Sequence, residues 1–158
     1  MHLLVVAVLP LAFLATACRP APARPDFSGT WRFDRARSAL QSPAPDSLIF
    51  VIDHREPQFH LSNTHYNGAT RTTFAIDLTT DSAEAERSYE GYRMRSRAYW
   101  DGDVLVWAAT VTLLIEGGPI RNIARYSLAD DGRTLIANEH QESGQLSHDN
   151  RWVFEKRR

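Results

Sequence analysis

The sequence predicts an all-β protein, a single antiparallel up-and-down (meander) β-barrel of about 8 to 10 strands with one short helix near residues 34–40. Three observations predict it. Short segments of alternating apolar and polar residues recur after residue 26 at the spacing of a β-barrel or sandwich. No long stretch has the periodicity of an amphipathic helix. Two Asp-Gly pairs, Asp101-Gly102 and Asp131-Gly132, are strong hairpin signals, because a type I′ turn needs positive φ at both central residues.

Composition narrows the class further. A chain of 158 residues is one ordinary domain's worth. With 43% hydrophobic and 23% charged residues it has globular rather than disordered usage. Eighteen basic against 19 acidic residues leave a net charge of −1, which gives no electrostatic footprint for nucleic acid. The single cysteine excludes an intrachain disulfide and a cysteine-rich zinc site.

Taken in order, the chain divides into three parts. Residues 1–17 carry no Asp, Glu, Lys or Arg, and the apolar run from Leu3 to Ala17 has the length of a secretory signal core. It is too short for a comfortable membrane span. It closes on Leu14-Ala15-Thr16-Ala17-Cys18, which resembles the lipobox of bacterial lipoproteins. That resemblance implies that Cys18 becomes the first mature residue and is lipidated. An ordinary signal peptide cut nearby is the alternative. Residues 18–25, with prolines alternating at Pro20, Pro22 and Pro25, form a tether of polyproline type. At about 3.1 Å per residue it holds the domain roughly 20 Å from a membrane. Because Arg19 rather than Asp follows the cysteine, the resemblance implies the bacterial cell envelope, at the periplasmic face of the outer membrane.

The folded domain spans residues 26–158. Strands are expected at 27–33, 47–53, 58–66, 70–77, 87–91, 94–100, 104–115, 120–129, 134–142 and 151–156. The helix candidate begins at Asp34, which can cap it, and Ala36 and Leu40 share a face. It is placed as a plug across one end of the barrel. A two-residue loop at Asp101-Gly102 sets Ala98 opposite Leu105, Ser96 opposite Trp107 and Met94 opposite Ala109, with Arg95 and Arg97 outward. The same loop at Asp131-Gly132 sets Leu128 opposite Leu135, Tyr126 opposite Ala137 and Ala124 opposite Glu139. Arg121 then lies opposite Glu142 on the outer face.

The start Phe27-Ser28-Gly29-Thr30-Trp31 resembles the F-x-G-x-W start of the calycins, the lipocalins and fatty-acid-binding proteins. In those families the glycine admits close backbone approach, the tryptophan packs across the closed end of the barrel, and a late arginine covers it. The matching positions are Gly29, Trp31 and Arg151. A second resemblance, to bacterial secreted lipocalin-like domains, rests on the Asp34-Arg35-Ala36-Arg37-Ser38 segment and on the hairpins Trp100-Asp101-Gly102-Asp103-Val104-Leu105 and Asp130-Asp131-Gly132-Arg133-Thr134-Leu135. It spans nearly the whole mature chain and implies a barrel without implying an activity.

Catalytic chemistry finds little support. His54, His60, His65 and His140 are scattered, and a regular strand puts His60 and His65 on opposite faces, so no metal site is indicated. There is no G-x-S-x-G nucleophile elbow and no phosphate-cradling glycine loop, so no cofactor is implied. Arg93, Arg95 and Arg97 form an outward stripe that Asp81, Glu84, Glu86 and Glu90 neutralise or leave free for an anion.

The expected register gathers a candidate ligand site inside the barrel. Met94, Trp107, Ala109, Val111 and Leu113 supply apolar wall, and Asn122, Tyr126, Glu139 and Gln141 supply polar groups on two neighbouring strands. The chain therefore reads as a lipid-anchored binding module, not an enzyme, for a small hydrophobic or amphipathic ligand. An envelope interaction protein with a filled barrel, acting through its outer surface, is the alternative. In-barrel acid–base chemistry would have only Glu139 and Tyr126 to use.

Overall fold

Inward and outward side chains alternate along a continuous antiparallel meander in the computed structural model, which describes residues 24–115, 117–129 and 131–157. The strands are β1 (Gly29–Phe33), β2 (Ala39–Leu40), β3 (Ser47–Arg55), β4 (Gln58–Asn67), β5 (Thr70–Thr79), β6 (Ala85–Tyr89), β7 (Tyr92–Asp101), β8 (Val104–Leu113), β9 (Ile120–Leu128), β10 (Thr134–Ser143) and β11 (Leu146–Lys156). They form one 11-stranded sheet whose path runs β5-β4-β3-β1-β11-β10-β9-β8-β7-β6, with β2 paired to β11 beside it. The first long strand thus joins the last, and the sheet curls into a nearly closed barrel. The expected signal segment, Cys18 and tether residues 18–23 lie outside the described residues.

The seam is between β5 and β6, which have no ladder between them. Side chains bridge it instead: Arg87 Nη2 lies 3.2 Å from Asp77 Oδ2, and the rings of Phe74 and Tyr89 are 6.2 Å apart. At the closed end Trp31 is fully buried, and its Nε1 donates to the Phe27 carbonyl at 2.9 Å. Phe27 stacks on Trp100 with centroids 5.9 Å apart, and the Arg24 guanidinium sits 4.9 Å from the Trp100 ring centroid. Glu56 clasps this end by accepting from His54 Nε2 (2.9 Å), Trp100 Nε1 (2.9 Å) and Thr80 Oγ1 (2.6 Å). Burial pushes its carboxyl upward, but those hydrogen bonds together hold it below the ordinary glutamate value.

Four expectations need correction. Residues 34–40 form no helix. Asp34 Oδ1 does accept from the Arg37 amide (3.2 Å), but Ser38 Oγ takes the Asp34 carbonyl at 2.7 Å and the Ser38 amide turns to Arg35 O. One turn closes, and Ala39 and Leu40 then pair with Arg151 and Asn150 as β2. So short a helix cannot repay its nucleation against a strand partner.

Arg151 does not cover Trp31. Asn150, Trp152, Phe154 and Lys156 take the inward positions of β11, while Arg151 is exposed and donates to Arg37 O at 3.1 Å. Lys156 pairs with Trp31 and holds its Nζ 5.1 Å from the ring centroid. Gly29 makes room for that lysine: a Cβ there would lie 2.6 Å from Lys156 Cε, and its φ is +138°.

The β7–β8 register is displaced by two residues. Asp101 pairs with Val104, so Gly102-Asp103 is the turn and Gly102 takes the positive φ of 61°. Ala98 faces Trp107, Ser96 faces Ala109 and Met94 faces Val111. A shift of two preserves the faces, and the arginines remain outside. There Arg93 and Arg95 pair with Glu86 at 3.5 and 3.2 Å, and Arg95 also pairs with Glu84. Finally, β6 stops at Tyr89, because Gly91 turns the chain with φ +85°. The β9–β10 register is as expected, Leu128 facing Leu135, although the loop is wider than two residues: Ala129 N donates to Thr134 O.

Candidate functional site

The lumen is divided by packing. Phe33, Phe50, Phe154, Leu48, Leu61 and Leu135 belong to one buried cluster with Phe27 and Trp31 of the closed end. Above it lies a cavity of about 110 Å³ lined by Leu48, Phe50, Asn63, His65, Trp107, Ala124, Tyr126, Ala137, Glu139 and Trp152. Six strands supply these residues, each by its inward parity: β3, β4, β8, β9, β10 and β11.

Glu139 is the centre of the polar groups. Its Oε1 accepts from Asn122 Nδ2 at 2.7 Å. Its Oε2 accepts from Trp152 Nε1 at 2.9 Å and from Asn150 Nδ2 at 3.0 Å. Asn150 is itself fixed, because its Oδ1 accepts from the Gln41 and Ser42 amides at 2.8 and 3.1 Å. The segment after β2 therefore orients the amide that orients the carboxylate.

Three buried polar atoms at this level have no hydrogen-bond partner: Trp107 Nε1, Asn63 Oδ1 and Asn122 Oδ1. An unpaired buried group costs about 1–3 kcal/mol, so what enters the cavity gains by satisfying them. Burial pushes the Tyr126 hydroxyl well above the ordinary tyrosine range, and the Glu139 charge adds to it. Burial also lowers His65, only partly offset by Glu139, so this imidazole is neutral at pH 7.

Of the residues expected to line the lumen, Trp107, Tyr126 and Glu139 meet around this cavity, and Asn122 joins them through its bond to Glu139. Met94 is buried in the core away from it, and half-buried Gln141 lies one inward position beyond Glu139, outside the lining. Leu113 is likewise outside the lining and more than a third exposed. Sequence reasoning missed Phe50, Asn63, His65, Asn150 and Trp152. The turn between β3 and β4 carries no Asp-Gly signal, so the sequence does not fix the register that turns Asn63 and His65 inward. An expected β11 starting at residue 151 excluded Asn150. His60 and His65 do lie on opposite faces: His60 is outside, 2.6 Å from Asp77 Oδ1.

No protein-family model matches the sequence, and no curated protein matches it. Solved structures do share the fold. A secretory abundant heat soluble protein from Ramazzottius varieornatus superposes with a TM-score of 0.59 at 12% identity, over 85% of this chain and 97% of its own. Zebrafish ileal bile acid-binding protein complexed with cholic acid matches with a TM-score of 0.52 at 12% identity, over 83% and 98%. Human cRBP IV matches at 0.51 and 13% identity, over 84% and 98%. The chain is a lipocalin-like β-barrel of the kind found in fatty-acid-binding proteins. Likeness at this identity establishes the architecture alone.

Proposed function

We propose that this barrel is a binding module, not an enzyme, that takes the polar end of a small amphipathic molecule into the cavity at Glu139. The observation that carries the reading is a cavity of about 110 Å³ with one oriented carboxylate, aromatic walls and three unpaired polar atoms. Similarity in fold to a bile acid-binding protein supports it. In-barrel catalysis has less support, because no hydrogen bond joins Glu139 to Tyr126 among the described residues. Native mass spectrometry of the purified protein tests the proposal. A small co-purifying molecule is expected. A bare protein mass, with no saturable tryptophan response to fatty acids, isoprenoids or aromatic dyes, would reject it.

The anchored location belongs to the same proposal: Cys18 is acylated and the domain stands at the periplasmic face of the outer membrane. Its support is the apolar run ending Ala-Thr-Ala-Cys and the proline tether behind it. One acyl chain binds a membrane only marginally, so several are expected. The outer-surface alternative keeps one observation in its favour. The cavity is smaller than the roughly 300–1,000 Å³ of ordinary ligand sites, so much of the lumen is filled by the protein itself.

A further inference from the structure

We infer that the group recognised in the lumen is a small organic cation, a primary or secondary alkylammonium, held between the Glu139 carboxylate and aromatic walls. The inference deepens the binding reading and rests on it. Its first ground is a missing charge. All three donors to Glu139 are neutral, two amides and an indole, and no Lys, Arg or His lies within ion-pair distance of it among the described residues. His65 lines the same cavity, but it forms no ion pair with Glu139 and burial disfavours its charged form. The inward lysine, Lys156, is at the opposite end, over Trp31. A half-buried carboxylate ordered only by neutral donors retains most of its attraction for a cation, because screening by water is weak there.

The second ground is the sense of the unpaired atoms. Of the three unpaired atoms, Asn63 Oδ1 and Asn122 Oδ1 are acceptors and Trp107 Nε1 is a donor; the Asn122 amide cannot turn over without losing its bond from Nδ2 to Glu139. Two open acceptors beside a carboxylate match the N–H groups of an ammonium. They oppose a carboxylate or phosphate head, which brings acceptors and negative charge. The third ground is the wall. Phe50, Trp107, Tyr126 and Trp152 surround the cavity, and ring faces attract an ammonium in a desolvated site. A volume of about 110 Å³ is the share of roughly three or four water molecules, enough for an ammonium and its first carbons.

The test compares three monomeric ligands of equal length, hexylammonium, hexanol and hexanoate, at pH 7 by calorimetry and tryptophan fluorescence. The expected order is hexylammonium tightest by about tenfold over hexanol, with hexanoate weakest. Glu139→Gln should bring hexylammonium to within about threefold of hexanol. The wild-type order decides by itself if that variant fails to fold. Hexanol equal to hexylammonium, or hexanoate tighter than both, overturns the cation and leaves the binding reading standing. Saturation by none of the three overturns both.

Discussion

Replacing Trp31 by alanine probes the closed end, which determines where the open cavity lies. The side chain has no exposed surface, and its Nε1 is bonded to the Phe27 carbonyl at 2.9 Å. Truncating a buried tryptophan costs about 3–5 kcal/mol through lost transfer energy and the cavity left behind. The Phe27 carbonyl also loses its donor, and Lys156 loses the ring beneath its ammonium. A loss of about 4 kcal/mol, with a urea slope of about 2 kcal/mol/M, moves the midpoint down by about 2 M. Arg95→Ala is the control. Its guanidinium is exposed and pairs with Glu84 and Glu86 at 3.2 Å, so its loss should cost under about 0.5 kcal/mol. Equilibrium urea melts followed by far-UV circular dichroism read both. A Trp31→Ala protein within about 1 kcal/mol of wild type would mean that the core and the closed end are wrongly assigned.

Other expectations follow from particular contacts. Gly29→Ala should destabilise by about 1–3 kcal/mol, because φ is +138° and the new Cβ meets Lys156 Cε; Lys156→Ala in the same chain should recover part of the loss by removing the clash but not the backbone strain. Glu56 has a folded-state pKa below its ordinary value of 4.5, so its contribution is present above about pH 4.5 and is lost as the pH falls through the folded value. The difference in urea midpoint between wild type and Glu56→Gln should therefore shrink between pH 6 and pH 3, and a difference that grows would contradict the clasp. For Cys18, full-length protein expressed in a Gram-negative host with labelled palmitate should be labelled and membrane-bound, and Cys18→Ala should be neither; equal labelling of the two would end the lipid-anchor proposal.

The wall of the barrel was more legible than its contents, for a physical reason. Period-two alternation reports which face a residue occupies, and a register error of two residues at Asp101-Gly102 leaves every face intact. Trp107, Tyr126 and Glu139 thus came out inward although the first hairpin was displaced. Alternation says nothing about depth along the axis, so Met94 and Gln141 could not be separated from residues at the level of the cavity. Nor does it report how far large side chains fill the lumen. The helix at 34–40 failed because Ser38 competes for the Asp34 carbonyl and β11 offers Ala39 and Leu40 a ladder, and neither is visible locally. The calycin resemblance implies a late arginine over Trp31 and points to Arg151 on the last strand, whereas parity on β11 gives that place to Lys156.

The four tryptophans allow the lumen claim to be tested in one measurement. Trp31 and Trp100 bond to Phe27 and Glu56 at the closed end, Trp152 bonds to Glu139, and Trp107 Nε1 has no partner. Their indole resonances in a ¹⁵N-labelled sample are four separate reporters. Titration with hexylammonium should move Trp107 most, Trp152 next, and leave Trp31 and Trp100 in place, all along one saturable curve. Shifts confined to Trp100, or no saturable shift at Trp107 and Trp152, would show that the alkylammonium does not bind in the cavity at Glu139.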